Sequence, residues 1–309
     1  MTSPLASGDL LETAPPEFQW GRFPEAEEFL HSQLRRFLGG HSFARVLSER
    51  MLESTSTHLF DWLDHLVVPM SEFRAEELEK FGFQIENVEA PAGLVAIWHP
   101  FAQLPRVVLD PKAREISAAI KVDSIEDFQI AHQLRLDIEG TPFSRCRTTS
   151  FADDGARLIV VERRGYRGFL PQNDPSPAQY WKAREQWALR PRRFESDAEG
   201  MRSTLELARR IAEEVGRDYA ACVAMEGERA YWQKHNRAGD LQKFRQDKLG
   251  LGWANHDHHT FRSSRASFPV LMQIFRALGF KMRERYYAGS EAGWGAQILE
   301  QPAAGLVIF

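Results

Sequence analysis

The chain has 309 residues, 43% hydrophobic and 27% charged, with a net charge of −4 and a pI near 6.2, enough to bury a sizeable core in two or three modules. No run of Lys or Arg marks a nucleic-acid groove, since the basic residues alternate with acids, and no apolar run approaches the roughly 18–20 residues that span a bilayer. The two cysteines, Cys146 and Cys222, argue against a disulfide scaffold or thiolate metal site and fit a reducing cytoplasm.

Residues 1–23 lack the basic start and apolar core of a signal peptide and read as a short leader. Residues 24–62 predict helices: one follows Pro24 and ends at Gly39-Gly40, and another runs from Ser42 with Phe43, Val46, Leu47 and Met51 on one face. A first module spans 63–112. Its strand Leu63–Val68 is followed by a helix closing at Gly82, then by strands over 83–88, 93–98 and 106–109. A middle module, 113–170, repeats the order with a strand at 116–122, a helix at 124–134 and strands at 143–151 and 157–162. Asp153-Asp154-Gly155 supplies the turn between those last two strands.

Residues 171–250 break the pattern and read as a helical insertion. Ser196 and Glu199 form a capping-box signature, and Leu205, Ala208, Ile211 and Val215 trace a stripe. Trp181, Trp187, Tyr231 and Trp232 are expected to pack it down. The strand-helix-strands order returns in a C-terminal module, 251–309, with strands at 256–262, 281–287, 296–300 and 306–309 and a helix at 268–278.

Two segments match in detail. Asp64-His65 opens a strand whose following helix ends in Phe81-Gly82-Phe83, and Asp257-His258 opens another whose helix ends in Leu278-Gly279-Phe280. Gly82 follows His65 by 17 positions and Gly279 follows His258 by 21, and each glycine suits the position just past a helix, where positive φ is favoured. At these residues the chain resembles the vicinal oxygen chelate superfamily, which includes glyoxalases and extradiol dioxygenases. Within it, the nearest likeness is to the 2-oxoadipate dioxygenase/decarboxylase (2-hydroxyglutarate synthase) family, over roughly 60–110 and 253–309.

The resemblance implies an α+β fold in which βαβββ modules form a cupped mixed sheet, here with N-terminal helices and a helical insertion. It also implies one metal held by His65, His258 and Glu300. The implied metal is Fe(II), with O₂ as co-substrate and a small 2-oxo acid or similar chelating carboxylic acid as substrate. Mn, Zn and Ni are the alternative metals.

The residues themselves support metal chemistry: two imidazoles and a carboxylate leave open coordination positions suited to non-haem iron. Alternation along the strand 256–262 puts His256, His258, Thr260 and Arg262 on one side, so Arg262 is the candidate clamp for a substrate carboxylate. His99 and His256 are rival ligands. Glu162 is a third rival, read as structural and paired to a neighbouring Arg because the strand opening its module has no His. A non-redox metal-dependent isomerase or lyase of the same fold is the first functional alternative, and a non-catalytic small-molecule binding protein the second. No nucleic acid or membrane partner is expected, and the oligomeric state is open, with a homodimer as one option.

Overall fold

The computed structural model describes residues 22–153, 155–255 and 258–309, which divide into two compact units. Of these residues, the first unit takes 22–177 and 229–255 and the second takes 178–228 and 258–309. The leader reading over 1–21 lies outside the described residues, as do Asp154, His256 and Asp257.

The first unit opens with α1 (Pro24–Gly39). Pro24 occupies the first turn, where a missing N–H is harmless, and Glu25 and Glu27 sit at the positive end of the helix dipole. Helix α2 (Ser42–Thr55) is capped by a ring: His41 Nδ1 accepts from the Ala44 N–H at 3.2 Å. Then follow β1 (Leu63–Pro69), α3 (Ala75–Glu79), β2 (Gln84–Ile85), β3 (Val95–Trp98), β4 (Arg106–Asp110), β5 (Ser117–Lys121), α4 (Ile125–His132), β6 (Cys146–Asp153) and β7 (Ala156–Arg163). The strands form one mixed sheet in the order β2-β3-β4-β1-β5-β7-β6. Strand β1 is central, parallel to β4 and antiparallel to β5, and β5 runs parallel to β7.

Alternation gives this sheet two distinct faces. Leu66 and Val68 of β1, with Val107, Ile120, Leu158 and Val160 on neighbouring strands, join Leu30, Phe37, Leu47 and Met51 of α1 and α2 in one buried core. Each such aliphatic or aromatic side chain contributes about 1.5–3 kcal/mol on full burial. His65, Val67 and their neighbours face the other way. The turn after α3 places Gly82 at φ 90° and returns the Phe83 N–H to Leu78 O at 3.3 Å, a glycine-terminated helix end. Strand β2 is shorter than the expected 83–88, and β3 starts at Val95 because Gly93 sits at φ 92°, outside the extended range.

The second unit holds α5 (Pro177–Ala188), α6 (Asp197–Val215) and α7 (Arg217–Gln233) up to Glu228. Ser196 caps α6 by accepting from the Glu199 N–H, and Leu205, Ala208, Ile211 and Val215 form its buried stripe. Helix α8 (Arg237–Asp247) belongs to the first unit, where Gln242 Nε2 donates to Thr55 O at 2.9 Å. The stretch read as one insertion therefore serves both units. Among its tryptophans Trp187 is buried, but Trp181 is 56% and Trp232 58% exposed. The buried face of α5 is Tyr180, Ala183 and Trp187, and Trp181 falls off that helical spacing.

The second unit continues with β8 (His258–His259), α9 (Phe268–Ala277), β9 (Lys281–Tyr287), β10 (Gly295–Gln301) and β11 (Leu306–Ile308), paired in the order β8-β11-β10-β9. Strand β8 runs parallel to β11, and the other two pairs are antiparallel. After α9, Gly279 sits at φ 83° and the Phe280 N–H bonds Phe275 O at 3.0 Å. Helix α9 packs on α6. Among the described residues no helix is long and apolar enough to cross a membrane.

Gly250, in the segment after α8, sits at φ 67°, and a Cβ there would lie 2.4 Å from Phe128 Cα. Gly250→Ala should therefore destabilise the first unit by roughly 1–3 kcal/mol or more. Gly39→Ala, facing open space at a helix end, should leave stability unchanged or slightly improved. Thermal unfolding of the two variants checks this, and matching Tm values would refute it.

Candidate functional site

Between Leu63 and His65 the ladder slips: Leu63 pairs with Ile120 and His65 with Ala119, so β1 carries one residue more than β5. Such a bulge re-aims a side chain. Asp64 leaves strict alternation and its Oδ2 lies 2.6 Å from Nδ1 of its own neighbour, His65. Arg163 grips the same carboxylate with Nε and Nη2 at 2.6 and 2.9 Å, and Arg106 Nη2 donates to it at 3.1 Å. Both guanidiniums lie over Phe169, at 4.8 and 5.2 Å from the ring centroid, and that ring meets His65 edge-on at 5.0 Å. Glu86 supplies a second carboxylate to Arg106 and Arg167.

The electrostatics follow from this packing. Burial alone would raise the Asp64 carboxyl, but Arg163, Arg106 and His65 outweigh it and hold the group well below its usual range. Burial pushes the His65 imidazole below its ordinary value, against the pull of Asp64, and Arg106 and Arg163 push the same way. Burial also brings Arg106 down to about 10. A charged carboxylate can only accept, so His65 Nδ1 carries the proton and Nε2 keeps its lone pair. At neutral pH His65 is a neutral ring, oriented by Asp64.

His65 lines a cavity of about 1070 Å³ on the open face of the seven-stranded sheet. Val67, Val108, Ser117, Ile159 and Phe169 share that lining, with Arg135, Asp137 and Glu139 among the polar groups around it. A buried imidazole fixed at Nδ1 by a carboxylate and open at Nε2 is the arrangement of a metal-ligating histidine, and equally of a general base. His65 fits a metal as one donor.

The other expected residues fall elsewhere. His258 and Glu300 belong to the second unit, where Glu300 pairs with Val307 and Val307 with His258. Those pairings put His258 and Glu300 on one face of the sheet, roughly 10 Å apart at the backbone. Glu300 is half-buried and ion-paired with Arg283. Among the described residues no group of three His, Cys, Asp or Glu side chains is drawn together as a metal site.

Arg262 is exposed and lies beyond β8, whose ladder covers only His258 and His259. Backbone bonds carry the pairing on to Phe261 and no further, so the strand alternation that set Arg262 beside His258 does not reach it. His99 is buried among the rings of Phe23 and Phe83, at 4.3 and 5.4 Å, and is not part of the cavity lining around His65. Glu162 faces α4, bonded to Arg147 at 2.9 Å, to Arg164 and to the Ile125 N–H, which is the structural pairing expected of it. His256 lies outside the described residues.

Sequence reasoning passed over Asp64, Arg106, Arg163 and Phe169. The one signal available was the Asp-His pair itself, together with an Arg one step past Glu162 on the alternate face. Comparison of the chain with protein-family models, curated proteins and solved structures finds no match.

Both shifts carry the same sign for stability. His65 and Asp64 have folded values below their unfolded ones, so unfolding takes up protons as the pH falls through 6.5 and then through 3.8. Stability of the first unit is fully present above those values and should decline on acidification from pH 7 to 5. In urea titrations with chelator present, His65→Gln should flatten that decline. The burial-lowered His132 would leave a residual slope. An unchanged slope in His65→Gln would show that His65 is not held neutral.

Proposed function

We propose that the chain is a metal-dependent enzyme acting on a small carboxylic acid, of the Fe(II) oxygenase type, with His65 Nε2 as a metal ligand. The observation that carries this reading is the buried Asp64–His65 pair, with Nδ1 committed to the carboxylate and the residue lining the cavity. Further support comes from the strand orders. β1-β4-β3-β2 and β8-β11-β10-β9 have the same sequence and the same parallel first pair, each opened by a histidine-bearing strand. The helix ends at Gly82 and Gly279 share one hydrogen-bond pattern as well. These are the marks expected of two copies of a βαβββ module. His258 and Glu300 share one face of the second unit's own sheet.

The chain's own residues divide the work as follows. Asp64 fixes the His65 tautomer, and Arg163 with Arg106 keeps that carboxylate charged and in place. Phe169 shields the cluster from water on one side. When bound, iron would supply a Lewis acid with open positions for a substrate oxygen and for O₂.

A second reading rests on the same pair. With Nδ1 committed to Asp64 and the ring neutral, His65 suits general-base work, taking a proton from an acidic C–H or O–H of the bound molecule without any metal.

Metal content separates the two. After anaerobic Fe(II) loading, wild type should hold about one iron per chain and His65→Ala should lose it. Retention of iron by His65→Ala would sink the ligand assignment. A wild type that takes up no iron would leave the general-base reading in its place.

A further inference from the structure

The floor of the His65 cavity has a second polar end. Strand register places His65, Ala119 and Ile159 in one row across β1, β5 and β7. Val67, Ser117 and Arg157 form a row two residues further along, on the same face. Arg157 thus stands two strands and two residues from His65, roughly 12 Å at the backbone. Both side chains line the one cavity.

Arg157 differs from the other arginines of β6 and β7. Arg163 is committed to Asp64, and Arg147 is committed to Glu126 and Glu162. Arg157 Nη1 donates to Ser150 Oγ at 3.1 Å, and Ser150 is the register partner of Ile159, on the cavity face. An exposed guanidinium is thereby steadied by a hydroxyl, and its fork suits a carboxylate. Between Arg157 and His65 the strands supply Val67, Ala119 and Ile159 beside the one hydroxyl of Ser117, and Leu136 and Ile138 of a connecting segment line the same cavity.

We propose that Arg157 anchors the carboxylate of an acid with an aliphatic body, which lies along this floor with its far end at His65. The proposal rests on the small-acid reading above and narrows it: the recognised anion sits at Arg157, the apolar body takes the middle, and the reacting atom is remote from the carboxylate. Arg157 replaces Arg262 as the clamp.

The test uses the full chain with hexanoate and hexanamide, which differ in charge and share a shape, in competition-based ligand-observed NMR. Wild type should prefer hexanoate by about tenfold or more, the worth of one charge-assisted pair. Arg157→Gln should bring the preference to within about twofold while leaving hexanamide affinity unchanged, and Arg157→Lys should recover part of it. Val67→Trp, which fills the floor, should weaken both probes together. A tenfold preference that survives in Arg157→Gln overturns the proposal, as does a wild type that does not discriminate. Iron retention is a separate readout. Lost iron in His65→Ala with no acid preference in wild type removes the Arg157 proposal alone. A clear acid preference in a chain that takes up no iron removes the metal reading alone.

Discussion

A single buried carboxylate organises the open face of the first unit. Taking ions out of water costs several kcal/mol each, so Asp64, Arg163 and Arg106 persist in the interior only because each meets an opposite charge at hydrogen-bond distance. His65 enters this arrangement as the neutral member, and its orientation is a by-product of satisfying Asp64. The chain of cause is short. A bulge frees Asp64 from alternation, two arginines fix it, it fixes the imidazole, and the imidazole offers one nitrogen to the cavity.

The sheet explains why a cavity stands there at all. Helices α1, α2 and α4 occupy one face of the seven strands, and their apolar stripes close the core against Leu66, Val68 and Ile120. On the opposite face, segments that connect the strands (91–94, 110–115 and 135–139) contribute to the cavity lining. On that face Val67 and Ile159 share the cavity with His65 and Arg157, and charged groups such as Asp137 and Glu139 complete its lining.

Much of the fold was legible where local chemistry decides it. Gly82 and Gly279 end their helices with positive φ because the turn needs it, Ser196 caps α6, and the strand at 281–287 falls where its residues put it. Glu162 was correctly assigned to arginine partners. The site was legible only in part. His65 stood out through the Asp-His repeat, but alternation sends adjacent residues to opposite faces, so nothing in the residue pattern announced that Asp64 would turn back onto its neighbour. The alternation used to place Arg262 was extended past the point where the β8–β11 ladder stops. The helical stretch 171–250 was legible as helices and illegible as a unit, because membership depends on which distant core each helix meets.

That last point bears on how the chain matures. The first unit leaves the sequence at Pro177 and resumes at Arg229, yet Leu249 and Leu251, from the returning piece, are buried in its core with Phe128 and Ile125. On a ribosome delivering the chain N-terminus first, the seven-stranded sheet must wait for the excursion of about 50 residues, and then for the returning segment, before its core is closed. Because loop-closure entropy grows only logarithmically with length, the excursion adds little thermodynamic burden. Its effect is one of timing: the helix-packed side of the sheet stays incompletely covered until α8 and the glycine turn behind it emerge, making that interval the one in which the nascent protein most needs protection from its neighbours.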